Sequence, residues 1–109
     1  MSILSQGFES PNFIFSNVDI TDFETLNTII NYRYDAIINL GARAGVRASS
    51  DNPYIYYETN VTGTLNLLEL SKKYEIPKFV LASTSSVYGE VNSIPYSEND
   101  LTDFPLSQY

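Results

Sequence analysis

The sequence predicts an α/β protein built on a doubly wound parallel sheet. Two observations lead there. Short runs rich in aliphatic and aromatic residues alternate with longer stretches at helical spacing, in the order strand, helix, strand, helix, strand. Successive units of this kind lay their strands parallel, because each helix carries the chain back across the sheet. No linker, internal repeat or low-complexity tract divides the 109 residues, so one domain spanning 1–109 is expected.

Met1–Asn12 has no clear period and contains Gly7 and Pro11, which predicts a loop or arm. Phe13–Val18 (FIFSNV) is short and rich in aromatic and β-branched residues, as a strand is. Thr21-Asp22-Phe23-Glu24 matches a capping box, with the Thr21 hydroxyl accepting from a backbone N–H and Glu24 reaching back. Phe23, Leu26, Ile29 and Ile30 follow at helical spacing, and this helix is expected to end near Tyr32. Asp35–Leu40 (DAIINL) is an apolar run that suits a strand buried on both faces. Gly41–Ser50 reads as a loop. Asp51-Asn52-Pro53 is a helix start, a capping side chain followed by proline, and the longest helix runs from there to about Tyr74, with Val61, Leu65 and Leu68 on one face and Gly63 permitting close packing. After Pro77, Lys78–Ser83 (KFVLAS) is the last strand. The remainder to Tyr109 is irregular, broken by Pro95 and Pro105.

Composition narrows the chemistry. A net charge of −7 disfavours nucleic acid and anionic membrane as partners. The absence of cysteine excludes disulfides and thiolate metal sites, and the absence of histidine removes the commonest general base. Acid–base work near neutral pH therefore falls to Tyr, Lys, Asp, Glu or Ser. No stretch is long and apolar enough to span a bilayer, and Met1–Pro11 lacks the apolar centre of a signal peptide, so a cytoplasmic location is expected.

Ligands of such sheets bind beyond the carboxyl ends of the strands. Two segments belong there. Asn39–Arg47 (NLGARAGVR) combines small residues, which let a phosphate or ribose approach the backbone, with two arginines able to hold phosphate or carboxylate. The same pattern describes a glycine-containing loop with two solvated arginines. Ser83–Gly89 (STSSVYG) opens with four hydroxyl side chains that could orient a sugar, or simply bond the local backbone.

Asn39–Arg47, Asn60–Leu68 (NVTGTLNLL) and Phe79–Gly89 (FVLASTSSVYG), in that order and spacing, resemble the extended short-chain dehydrogenase/reductase family. Within it they are most similar to NAD-dependent nucleotide-sugar epimerases of the UDP-glucuronate 4-epimerase type. The resemblance implies a Rossmann-type NAD domain and transient oxidation of the sugar at C4 to a 4-keto sugar. Pro105–Tyr109 resembles the lead-in to the family's Tyr-x-x-x-Lys motif, which implies that Tyr109 is the catalytic tyrosine and Thr84 its hydroxyl partner. It implies NAD contacts at Asp19, Ile20, Leu40, Gly41, Ala42, Asn60 and Ser83, and substrate contacts at Arg47, Ser85 and Ser86. A free tyrosine has a pKa of about 10, so the chemistry needs a nearby positive charge, which lysine and the oxidised nicotinamide supply in the family. Related 4,6-dehydratases carry an Asp-Glu pair after the threonine; Ser85 and Ser86 stand there instead, which argues against elimination of water.

Two parts of the family pattern have no counterpart. Nothing from Met1 to Asn17 resembles the glycine-rich phosphate turn, and the motif's lysine would fall beyond Tyr109. The expectation is an internal fragment lacking the first βα unit and the substrate lobe, inactive alone and with weak or no affinity for NAD. It would be prone to pair through exposed sheet edges, or to form a homodimer through the long helix. A non-catalytic interaction module derived from the same sheet, and an unrelated doubly wound binding domain, are the competing expectations.

Overall fold

The computed structural model describes residues 10–90 and 92–109. Most of the arm expected over Met1–Asn12 lies outside them. The elements are α1 (Phe23–Ile29), β1 (Ile37–Asn39), α2 (Val46–Asp51), α3 (Pro53–Tyr56), a π-helical segment (Tyr57–Thr62), α4 (Gly63–Lys73), β2 (Phe79–Leu81) and a 3-10 turn (Ser85–Tyr88).

β1 and β2 pair in parallel with Ile37 opposite Phe79, Ile38 opposite Val80 and Asn39 opposite Leu81. The Ile37 N–H donates to the Lys78 carbonyl and the Ala82 N–H to the Asn39 carbonyl, extending the ladder at both ends. The parallel crossover is as predicted. Phe13–Val18 is irregular and not a strand; among the described residues the sheet contains β1 and β2. Aromatic and β-branched content makes a strand only where a ladder is available.

The helices also differ in detail from the sequence expectation. Asp22, not Thr21, caps α1: its carboxylate accepts from the Thr25 N–H at 3.2 Å and the Thr25 hydroxyl at 2.5 Å. Thr21 is diverted to Asp19, donating its hydroxyl and its N–H to Oδ1, both at 2.9 Å. A carboxylate outcompetes a hydroxyl for orphan helix donors, which moves the cap one residue along. The helix ends at Ile29, three residues short of Tyr32. The loop expected through Ser50 contains α2, opened by Gly45 at φ 112° and steadied by the buried Ser49 hydroxyl donating to the Val46 carbonyl at 2.6 Å. Asn52 and Pro53 do start the next helix, although the Asn52 side chain makes no cap bond.

The core lies between α1 and α4. Leu26, Leu67 and the fully buried Leu70 form its centre, with Ile20, Phe23, Ile30, Tyr74 and Phe79 packed around them. Val61, Leu65 and Leu68, the residues expected to share one face of the long helix, are exposed. Gly63 permits the close approach predicted for it, because a Cβ there would lie 2.6 Å from Ile20 Cδ1. β1 is covered on one face only. Asn39 is 4% exposed, whereas Ile38 is 65% and Leu40 74% exposed, so the expectation of burial on both faces is corrected. The Cα radius of gyration is 16.7 Å. A fully compact chain of this length would have about 13 Å.

Candidate functional site

Two hollows meet at the carboxyl ends of β1 and β2. The first, about 230 Å³, is lined by Gly41, Ala42, Asn60, Thr64, Leu81, Ala82, Ser83, Thr84, Val87 and Tyr109. The second is an open trough bounded by Asn17, Val18, Asp19, Ile20, Gly41, Ala42 and Thr59. Gly41 and Ala42 belong to both, so the two form one continuous surface running from Asp19 to Tyr109.

Local structure fixes each wall. The Asn39 side chain, buried at the end of β1, accepts the Gly41 N–H at 3.0 Å and donates to the Thr64 hydroxyl at 3.2 Å. Thr64 in turn donates to the Asn60 carbonyl at 2.6 Å. Asn60 sits in the π segment, where the widened helical turn presents its amide to the loop beyond β1. That amide accepts the Arg43 N–H at 2.8 Å and donates to the Arg43 carbonyl at 3.1 Å. On the trough side, the Asn66 amide donates to the Ile20 and Thr21 carbonyls at 2.9 and 3.2 Å, tying the Asp19–Thr21 corner to α4. The paired Thr21 donors hold the Asp19 carboxyl below its ordinary value, with a smaller contribution from the Arg43 guanidinium.

Tyr109 reaches the first hollow because the chain after β2 folds back on itself. Gly89, at φ 61°, lets the Phe104 carbonyl sit where a Cβ would be. Tyr88 stacks on Tyr96 at 4.7 Å, and the Asn92 amide donates to the Tyr88 and Leu101 carbonyls. The Tyr109 ring then meets Tyr56 edge-on, with centroids 6.3 Å apart, while the buried Tyr56 hydroxyl donates to the Ala44 carbonyl at 2.8 Å. Thr84 caps the 3-10 turn, its oxygen accepting the Ser86 N–H at 3.2 Å. That bond uses a lone pair and leaves the Thr84 O–H free to donate into the hollow.

The predicted residues therefore fall into three groups. Gly41, Ala42, Asn60, Ser83, Thr84 and Tyr109 line one hollow, and Asp19 and Ile20 line the trough joined to it. Ser85 and Ser86 lie round the corner in a separate depression with Val46, Gly89, Tyr96, Leu106 and Ser107. Arg47 stands exposed on α2 next to Val46, and Leu40 lines none of these hollows. Arg43 is one of the two arginines that the sequence offers for phosphate or carboxylate, whereas the Asn39 amide, Thr64 and Tyr56 were not singled out from sequence. The signals for the first two of these were an amide inside an apolar run and a threonine four residues after Asn60 on a helix.

A parallel sheet crossed by helices, with a hollow at its carboxyl ends floored by small residues, defines a partial Rossmann-type α/β fold. Residues 2–109 match the family described as GDP-mannose 4,6 dehydratase, and the chain belongs to that family. Its relatives include 4-epimerases. The UDP-glucuronate 4-epimerase of Thermodesulfobacterium geofontis (strain OPF15) is 53% identical over 102 residues, covering 93% of this chain and 31% of that protein. Among solved structures, the UDP-Glc/GlcNAc 4-epimerase from Campylobacter jejuni superposes with a TM-score of 0.87 at 29% identity, covering 97% of this chain and 32% of the other. The Thermus thermophilus UDP-glucose 4-epimerase in complex with NAD gives 0.81 at 32% identity, covering 92% and 33%. The chain thus spans about a third of the length of the proteins it matches. Among the described residues no helix is long and apolar enough to cross a membrane.

Proposed function

We propose that this chain is the central part of the NAD-binding half of a UDP-sugar 4-epimerase acting on UDP-glucuronate. The observation that carries the proposal is the meeting of Thr84 and Tyr109 in one hollow with Gly41, Ala42, Asn60 and Ser83. The donor set fits a dinucleotide: a carboxylate at one end, small residues without side-chain obstruction in the middle, and hydroxyl groups at the other. In this reading Asp19 and Ile20 hold the adenine end, and Leu40 contributes backbone beside Gly41. Bound NAD would supply the acceptor and donor of hydride at the sugar's C4. The Tyr109 oxygen takes the proton of the 4-hydroxyl, and the Thr84 O–H donates to the same sugar oxygen as charge builds on it. In this reading the sugar extends from the hollow toward Ser85 and Ser86 in the separate depression, and its carboxylate is met by the exposed Arg47 on α2. The two serine hydroxyls cannot act as the acid–base pair that dehydration needs, which favours epimerisation over the reaction the family is named for.

Activity should require the rest of the enzyme. The 109 residues alone, given NAD and UDP-glucuronate, are expected to yield no UDP-galacturonate; sustained turnover would overturn that expectation. Grafted in place of the matching third of the Thermodesulfobacterium geofontis enzyme, the same residues should support epimerisation. A graft that folds and binds NAD yet leaves UDP-glucuronate untouched would refute the assignment. Val61, Leu65 and Leu68, exposed along one side of the π segment and α4, are the proposed face for a second copy. The open edges of β1 and β2 offer a second, weaker route to association.

A further inference from the structure

We infer that Arg43 is a phosphate-binding residue, placed to receive the pyrophosphate of a dinucleotide lying across Gly41 and Ala42; this rests on the cofactor reading above. The chain carries six cationic side chains against 13 acidic ones. Four of them lie elsewhere: Arg33 between α1 and β1, Lys72 and Lys73 at the end of α4, and Lys78 just before β2. Arg33 Nε donates to the Glu75 carbonyl and Lys73 Nζ to the Asn27 side chain. Arg43 and Arg47 alone stand at the carboxyl ends of the strands.

Arg43 is fixed at three points. The Asn60 amide clamps its backbone N–H and carbonyl, and its Nε donates to the Thr59 hydroxyl at 3.3 Å. Both terminal guanidinium nitrogens are left without a hydrogen bond or ion pair among the described residues. Thr59, which the guanidinium touches, and Asp19, whose carboxyl feels its charge, line the trough and not the Thr84–Tyr109 hollow, and Arg43 stands at the rim of that trough beside Ala42. A ligand with its nucleoside at Asp19 and its reactive end at Thr84 has its pyrophosphate in between, over the residues preceding Arg43. A planar guanidinium already held in place loses little freedom on meeting phosphate oxygens and can give them two parallel hydrogen bonds. In a chain of charge −7, such a group offsets the general repulsion of an anionic ligand.

The test is an NMR titration of the isotope-labelled 109-residue chain with NAD, ADP, adenosine and inorganic phosphate at millimolar concentration. Wild type should bind ADP more tightly than adenosine, with the Arg43 Nε–H signal shifting alongside Gly41 and Ala42. Arg43→Gln should lose roughly tenfold in affinity for ADP and NAD while keeping its affinity for adenosine. Arg33→Gln, which changes net charge equally, should match wild type. ADP affinity in Arg43→Gln within about twofold of wild type would overturn the inference and leave the cofactor reading standing. Inorganic phosphate moving the Arg43 signal as strongly as ADP at equal concentration would also overturn it, reassigning the group to free phosphate. ADP that shifts Asp19, Ile20, Gly41 or Ala42 but not Arg43 in wild type would likewise overturn the inference and leave the cofactor reading standing.

Discussion

The two faces of the β1–β2 sheet are made from similar residues and meet opposite surroundings. On one side, Ile37, Asn39 and Phe79 turn toward α4, where Phe79 joins the Leu26, Leu67 and Leu70 core. On the other, Ile38, Leu40 and Val80 are exposed. A strand of alternating faces cannot choose which to bury; the elements stacked on it decide. Here the described residues supply one helical layer, and the functional surface lies along the covered side. Asn39, Asn60 and the Ile20–Thr21 corner are all hydrogen-bonded to α4 or lie in the π segment ahead of it. The covered face thus carries the core and most of the candidate site, while the side chains of the bare face stand in solvent.

That contrast can be broken by substitution. The largest effect should come from Leu70→Ala, which empties the centre of the core and should cost about 2–5 kcal/mol in urea unfolding. Ile38→Thr on the bare face keeps a β-branched side chain and should cost no more than about 0.5 kcal/mol. Equal costs would mean that the bare face is covered in solution. Gly63→Ala is next. Its methyl would overlap Ile20 Cδ1 and Cγ1, at 2.6 and 2.7 Å, so it should destabilise by about 1–3 kcal/mol. In an Ile20→Ala background the overlap disappears, and the same change should instead stabilise by about 0.5–1 kcal/mol, as alanine does in an open helix. Failure of the sign to reverse would show that Ile20 does not press on α4.

The smallest effect is on acid stability. Hydrogen bonds from Thr25 hold the Asp22 carboxyl below its ordinary value of 3.8, as those from Thr21 do for Asp19. Both groups are more acidic folded than unfolded, so their contribution is present above pH 3.8 and is lost as pH falls through their lower folded values. Asp22→Ala should therefore be less stable than wild type at pH 7, with the gap narrowing at low pH. Both carboxylates are fully exposed, so a gap that is large or independent of pH would point to a role beyond capping.

Much of this was legible in the sequence. The alternation of elements, the parallel pairing, the Pro53 start and the close packing at Gly63 follow from periodicity and from what proline and glycine permit. The convergence of Thr84 and Tyr109 with Gly41 and Asn60 followed only from resemblance, because no local rule brings residues 84 and 109 together. What escaped was set by competition between similar groups or by tertiary supply. Asp22 displaced Thr21 because a charged acceptor is stronger. Phe13–Val18 is irregular despite a strand-like composition, because composition alone does not set strand pairing. The π segment at Tyr57–Thr62 and the amide of Asn39 depend on partners in other elements, Arg43 and Thr64, that a one-dimensional pattern does not show.

The central claim is that Tyr109, held against Tyr56 at the hollow shared with Thr84, is the proton-transferring group of a sugar epimerase. The most direct test is the turnover of UDP-glucuronate by the grafted enzyme carrying Tyr109→Phe. Loss of the hydroxyl should lower kcat by about 100-fold or more while NAD remains bound, since general-base contributions are of that order. A rate unchanged from the unsubstituted graft would contradict the account.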